Sequence, residues 1–346
     1  MTEFDALSMT CREWQEYCAA EGEKPFRGKQ VYGWLHREKK VSYDEMTNLP
    51  KTLREKLGEA KPIHAVRSIL TQHSSDGFTS KHLMALHDGE CIETVTMTYH
   101  YGDSVCISSQ VGCRMGCRFC ASTLSGKKRD LTPGEMLGQV EEAERVLGRR
   151  ISHIVVMGCG EPLENLEHLL RFVELAGDPD GAGKSLRNIT VSTCGLVEQI
   201  DRLAEHDLPI TLAVSLHAPN DAIRRQLMPV ANRYPMEEVL AACRRYTEIT
   251  HRRITFEYGM TRGVNDSSEN ADELADRLSG LLCHVNLIPL NPVAEREYRG
   301  SAPETVRAFA AKLEKRHIPV TVRREMGQDI DAACGQLRRS YEDSHR

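Results

Sequence analysis

The chain has 346 residues, 27% of them charged and 40% hydrophobic, with a net charge of −5. It is long enough for one large domain and a small one, and its composition is that of a soluble globular protein. No run approaches the roughly 20 apolar residues of a membrane helix, and the balance of charge argues against a protein that binds polyanions over its whole surface. Met1 to Glu13 carries acidic residues and no apolar core, unlike a secretory leader. Twelve cysteines in such a chain point to a reducing, cytoplasmic setting, with thiols kept for metal or catalysis.

The first 60 or so residues read as helical, with helix-like apolar spacing over Ala6–Glu21 and Gly28–Lys39. A third helix opens at Asn48-Leu49-Pro50 and stops near Gly58. From Ala65 the pattern turns strand-like, with runs at 80–86, 93–98 and 105–108 and an Asp88-Gly89 turn. Thr132-Pro133-Gly134-Glu135 is a capping box that starts a helix to about Leu147. Strands and helices then alternate. Strands are expected at 153–157, 188–192, 209–217, 253–258, 284–289 and 320–323. Helices are expected at 163–175, 193–205, 221–226, 235–249, 267–278 and 303–316. About six β/α repeats imply a parallel sheet, curved into an incomplete barrel, with reactive groups at the C-terminal strand ends. The expected organisation is a helical N-terminal domain over 1–65, a β-rich connection over 66–98 and the barrel over 99–346.

The most informative stretch is Cys113-Arg114-Met115-Gly116-Cys117-Arg118-Phe119-Cys120. Structural zinc usually takes four ligands in two separated pairs, and no fourth is evident nearby. Three thiolates suit a [4Fe-4S] cluster with one open iron, whereas an electron carrier normally uses four. The basic run Lys127-Lys128-Arg129 just beyond this loop could meet a phosphate backbone near the site. Other paired cations, such as Arg149-Arg150 and Arg224-Arg225, read as solvated helix faces.

The CxxxCxxC spacing is the signature of the radical S-adenosylmethionine (SAM) enzymes. Ser108 to Cys113, Gly158 to Pro162, Ser215 to Ala218, Asn286 to Pro289 and Asp329 to Leu337 occur in the order found in the dual-specificity RNA methyltransferase RlmN family. The resemblance runs from Pro25-Phe26-Arg27 to Leu337. Cys159 departs from it, standing where the family usually has Met or a small residue.

The resemblance implies a radical SAM partial (β/α)6 barrel that carries a [4Fe-4S] cluster on Cys113, Cys117 and Cys120. It implies SAM contacts at Gly160, Glu161, Ser192, Ser215, Leu216, His217 and Asn291. It also implies methylation of adenosine C2 in 23S rRNA and tRNA, with Cys334 as a methyl carrier. Cys106 would then release the product by forming a disulfide with Cys334. Glu93 matches the family's proton acceptor, with Cys106 as the alternative base. A flavodoxin-type electron donor and a monomeric state go with the resemblance. A C8 adenosine methyltransferase of the antibiotic-resistance type is the nearest rival, and a non-catalytic metal-bound RNA-binding protein the rival of another class. The cysteines at 11, 18, 91, 194, 243 and 283 read as small buried hydrophobes.

Overall fold

A computed structural model describes residues 5–291, 293, 295–323, 330 and 336–344, without the side chains of 342–344. Cys334 lies outside the described residues. Three helices lead the chain: α1 (Cys11–Ala20), α2 (Phe26–His36) and α3 (Lys51–Ala60). The single helix expected over 6–21 is broken. A 3-10 turn at Ala6–Ser8, capped by Asp5, precedes α1, whose Thr10 and Glu13 side chains form a capping box. That box satisfies backbone N–H groups that an unbroken helix would not leave free.

Strands β1 (Arg67–His73), β2 (Thr79–Ala85), β3 (Cys91–Tyr99) and β4 (Gly102–Cys106) then form an antiparallel meander. Next come β5 (Gln110–Gly112), β6 (Lys127–Asp130), α4 (Pro133–Leu147), β7 (His153–Val156), α5 (Leu166–Gly177), β8 (Ile189–Thr193), α6 (Val197–Glu205) and β9 (Thr211–Ser215). The chain continues with α7 (Asp221–Leu227), α8 (Met236–Thr250), β10 (Ile254–Met260), α9 (Ser268–Leu278), β11 (Cys283–Pro289), α10 (Pro303–Lys315), β12 (Val320–Val322) and α11 (Gln336–Ser344).

Among the described residues the main sheet has ten strands in the order β1-β2-β3-β4-β7-β8-β9-β10-β11-β12. From β4 onward every pairing is parallel, so the meander and the β/α repeats share one open sheet. This is the expected partial barrel. α4 starts where the sequence places it, with Thr132 and Glu135 bonding reciprocally. The β5–β6 ribbon and α11 were not expected.

The barrel strands alternate in β7, β8 and most of β11, and the pattern is interrupted by buried Ala213 in β9 and buried Glu257 in β10. Ile154, Val156, Ile189, Val191, Leu212, Val214, Phe256, Val285 and Leu287 are buried in the apolar core. Thr190, Ser192, Thr211, Ser215, Thr255, His284 and Asn286 on the opposite face are only half-buried. Strands of a parallel sheet packed on both faces read as continuous apolar runs. Here the period of two marks a concave face that is not filled by core and is free to line a ligand cleft.

Candidate active site

The cysteine loop is pinched at its base. β5 pairs with β6, and Cys113 N–H bonds to the Gly126 carbonyl at 3.0 Å. Gly112 has φ +79°, and a Cβ there would lie 1.9 Å from Gly126 O, so glycine is required for the ribbon to close. Inside the loop, Thr123 Oγ1 donates toward the carbonyls of Cys117 (3.2 Å) and Cys120 (3.0 Å). Arg296 Nη2 reaches the Cys120 carbonyl at 3.1 Å from the segment after β11. Arg118 N–H bonds to Leu227 O at 2.9 Å, which ties the loop to the end of α7.

Cys113 is buried, and Cys117 and Cys120 are half-buried. Burial pushes the Cys113 thiol up to about 12 and raises Cys117 as well, and each thiol also repels the charge of Cys120. Three mutually repelling thiols held out of water are stable as thiolates only beside a multivalent cation. Among the described residues no three His, Cys, Asp or Glu side chains could hold one metal ion between them. A cubane spreads its thiolates over different irons, so this donor set fits a [4Fe-4S] cluster.

Lys127-Lys128-Arg129, expected as candidates for a phosphate contact, are engaged within the chain. Lys127 pairs with Asp130 and Glu164, Lys128 with Glu90, and Arg129 with Asp88 and Glu135. They fasten β6 to its surroundings.

The loop after β7 lies on the segment after β4. Cys159 O accepts from Ser109 N (2.9 Å), and Gln110 Oε1 accepts from Glu161 N (2.9 Å). Gly160, at φ +111°, has Gln110 Cβ and Ser109 Oγ each 2.7 Å from where its own Cβ would stand. The glycine therefore permits approach of two protein segments. Glu161 is buried. Its Oε1 accepts from Leu163 N (3.0 Å) and its Oε2 from Cys194 N (2.7 Å). Burial raises its pKa, partly offset by these bonds. The Thr193 and Cys194 side chains also bond the carboxylate.

Ser192 and Ser215, on neighbouring strands, bring their Oγ atoms to 3.5 Å. Leu216 is wholly buried in the core, so only its backbone faces the cleft, and its N–H is taken by Glu257 O. His217 has φ +54°. Its Nδ1 accepts from Gly259 N at 2.8 Å, so Nε2 carries the ring proton. Burial, aided by the charge of Arg224, lowers its pKa to about 3, which keeps the ring neutral. The ring also meets Phe119 of the cysteine loop edge-on, with centroids 4.9 Å apart. Asn291 follows β11 and is half-buried.

On the other side of the cleft, Lys81, Val95, Cys106, Val155 and Thr190 form one row across five strands. Cys106 is a buried free thiol, raised chiefly by burial. Glu93, two residues from Val95, is buried rather than an exposed strand carboxylate. It pairs with the wholly buried Lys81 at 2.9 Å and accepts Arg338 N–H of α11 at 2.8 Å. Cys334, whose placement is not described, precedes Arg338 by four residues in the sequence.

Sequence reasoning missed Lys81, Glu257 and Arg224. Glu257 is buried, bonds Asn286 Nδ2 at 3.0 Å, and is raised in pKa by burial. The polar alternation of Thr255-Glu257 on β10 and His284-Asn286 on β11 was the available signal for Glu257. Nothing in the run around Arg224 marks it as inward.

The Radical SAM superfamily model matches residues 107–275, and the model described as the ribosomal RNA large subunit methyltransferase N-terminal domain matches residues 4–63. A Lachnospira eligens protein named "Probable dual-specificity RNA methyltransferase RlmN" is 52% identical, over 97% of this chain and 96% of its own length. One of the same name from Desulforamulus reducens is 52% identical over 95% of this chain and 94% of its own. A crystal structure of a radical SAM methyltransferase from Sphaerobacter thermophilus superposes with a TM-score of 0.92 at 47% identity, covering 96% of this chain and 99% of that one. Among the described residues no helix is long and apolar enough to cross a membrane. With its three-thiol loop, open polar sheet face and two matching family models, the chain belongs to the RlmN family of radical SAM RNA methyltransferases, which take a [4Fe-4S] cluster and SAM.

Proposed function

We propose that the chain methylates C2 of an adenosine in 23S rRNA and of one beside the anticodon in tRNA, using Cys334 as a relay for the methyl group. The observation that carries this reading is the pocket that Glu93 shares with Ala121, Ser122 and Cys159 at the end of the three-thiol loop, with a separate buried thiol, Cys106, in the same strand row as Lys81, the partner of Glu93. Adenine C2 is electron-poor, so it does not attack an electrophilic methyl directly.

When bound, the cluster and SAM supply an electron, a methyl group and a 5'-deoxyadenosyl radical. Cys113, Cys117 and Cys120 hold the cluster. The Glu161 carboxylate accepts from the SAM ammonium. Ser192 and Ser215 offer hydroxyls, and Gly160, Leu216, His217 and Asn291 complete the contacts. A neutral His217 with its proton on Nε2 acts there as a donor.

Cys334 takes a methyl on sulfur and presents it to the base. Glu93, paired with Lys81, accepts the C2 proton, with Cys106 the alternative acceptor. The S-methyl carbon, after giving a hydrogen atom to the radical, would be bonded to C2 in an adduct that loses one electron together with the C2 proton. The Cys106 thiolate then attacks the Cys334 sulfur, and the bond from that sulfur to the carbon breaks. The carbon takes up a proton and leaves as the methyl group of the RNA, and the disulfide formed must be reduced before the next turnover. The helices of 1–65 hold RNA by shape around an unstacked adenosine. A flavodoxin-type protein donates electrons to a monomer in the cytoplasm.

The test is anaerobic reconstitution with iron and sulfide, then incubation with SAM, reductant and unmodified rRNA or tRNA. Mass spectrometry of the nucleosides should show 2-methyladenosine and released 5'-deoxyadenosine. Formation of 8-methyladenosine alone, or no deoxyadenosine, overturns the reading.

A further inference from the structure

Arg224 is among the largest wholly buried side chains, at 0% exposure. It sits on α7, and its guanidinium points inward beneath the loop that follows β8. Nη1 donates to Tyr234 O at 2.9 Å and Nη2 to Cys194 O at 2.7 Å. Nε has no partner, and among the described residues no carboxylate pairs with the group. A cation held so far from water is costly unless something anionic lies near it. The two carbonyls supply only partial charge.

The nearby sources of negative charge are few. Asp221, on the same helix, is half-exposed and occupied by Met236 N–H at 2.8 Å. The Cys194 and Cys243 thiols are held neutral by burial. Cys117 remains, in the loop that is tied by its neighbours to the end of the helix carrying Arg224. Arg118 N–H bonds to the last residue of α7, and Gly116 packs on Pro229, whose Cγ is 3.5 Å from its Cβ position. Cys194 also links the two sides, since its N–H goes to Glu161 and its carbonyl to Arg224.

We propose that Arg224 is a positioning residue for electron entry: the buried countercharge of the cluster that Cys117 helps to hold, raising its reduction potential. Three thiolates on a cluster core of two positive charges leave the assembly singly negative, and reduction makes it doubly negative. A fixed cation beneath it stabilises the second state more than the first. The step is a one-electron transfer from a low-potential donor. No bond forms or breaks, and no proton moves.

The inference rests on Cys113, Cys117 and Cys120 being the cluster ligands. Iron and sulfide analysis of Cys117→Ser tests that separately, because an undiminished cluster there would sink the ligand reading itself. For Arg224, the anaerobically reconstituted full-length protein is titrated against potential and followed by electron paramagnetic resonance. In Arg224→Gln the reduced-to-oxidised ratio at a fixed potential should fall about tenfold, a midpoint shift of about 59 mV to lower potential. Arg224→Lys loses the forked bond to two carbonyls but keeps the charge, so it should melt earlier with a midpoint near wild type. A loaded Arg224→Gln with an unmoved midpoint, or an Arg224→Lys midpoint displaced as far as that of Arg224→Gln, overturns the proposal. Should Arg224→Gln hold no cluster, Asp221→Asn keeps the acceptor for Met236 and removes the charge that offsets Arg224. Its midpoint should rise, and an unchanged value there overturns the proposal too.

Discussion

The two ends of the barrel treat buried charge differently. At the N-terminal strand ends every buried charge has an ionic partner. Glu144 is held between Lys184 and Lys39 and accepts Ile151 N–H at 2.7 Å, and Asp103 pairs with Arg149 at 2.5 Å. At the C-terminal ends, Glu161, Glu257 and Arg224 have no ionic partner among the described residues and rest on backbone groups, with side-chain bonds from Thr193 and Cys194 to Glu161 and one amide on Glu257. A paired charge is closed to further partners. A charge held by dipoles alone keeps its field for something that arrives later. The mouth is therefore electrostatically unfinished, and the base is not.

The sharpest way to separate the ends is to remove one member from each. Cys117→Ala at the mouth should leave the fold standing yet bring 5'-deoxyadenosine formation to background, measured by chromatography after anaerobic incubation with SAM and dithionite. Lys184→Met at the base should do the reverse. It leaves Glu144 half-paired and should cost about 3–5 kcal/mol in urea unfolding. Glu161→Gln turns one acceptor oxygen into a donor facing a backbone N–H, a loss of about 1–3 kcal/mol. It should also weaken SAM binding about tenfold or more in equilibrium dialysis, equivalent to about 1.4 kcal/mol.

The smallest effect is the most diagnostic, because the two carboxylates titrate in opposite directions. Burial works against the charge of Glu144, but the bonds from Lys184 and Lys39 outweigh it and its pKa is lowered. Its stabilisation is therefore full above the ordinary carboxylate value of about 4.3 and is lost as pH falls through the lowered value. Glu161 is raised by burial, so its contribution is present at low pH and lost as pH rises through the raised value. Unfolding midpoints across a pH series should show Glu144→Gln removing the acid-side loss and Glu161→Gln removing the opposite one. The same slope in both variants would refute the contrast.

Much of this was legible in the sequence. The β/α order could be read because start signals such as Thr132-Pro133-Gly134-Glu135 punctuate the apolar runs. The three-thiol loop could be read because its donors are local. What escaped depends on partners distant along the chain. Lys127, Lys128 and Arg129 looked free because Asp88, Glu90, Glu135 and Glu164 come from three other elements. That Glu93 is buried was not legible, because its partner Lys81 is a strand away. The β5–β6 ribbon is too short for periodicity and exists because Gly112 admits Gly126 O. The break before α1 was signalled by Thr10 and Glu13, but apolar spacing carried the reading across it. α11 follows directly on undescribed residues, and its polar sequence offers little apolar period.

The leading helices are stitched into the barrel. Ser8 Oγ accepts Gly134 N–H at 2.8 Å, inside the first turn of α4, and a Cβ on Gly134 would stand 2.6 Å from Leu7. Glu13 forks onto Arg171 of α5, and Lys39 reaches Glu144 at 2.5 Å. A chimera that transplants this barrel with foreign N-terminal helices would have to carry those contact residues along, or Gly134 N–H in the first turn of α4 would lose its acceptor. Leader and barrel are thus inherited, and engineered, as one piece.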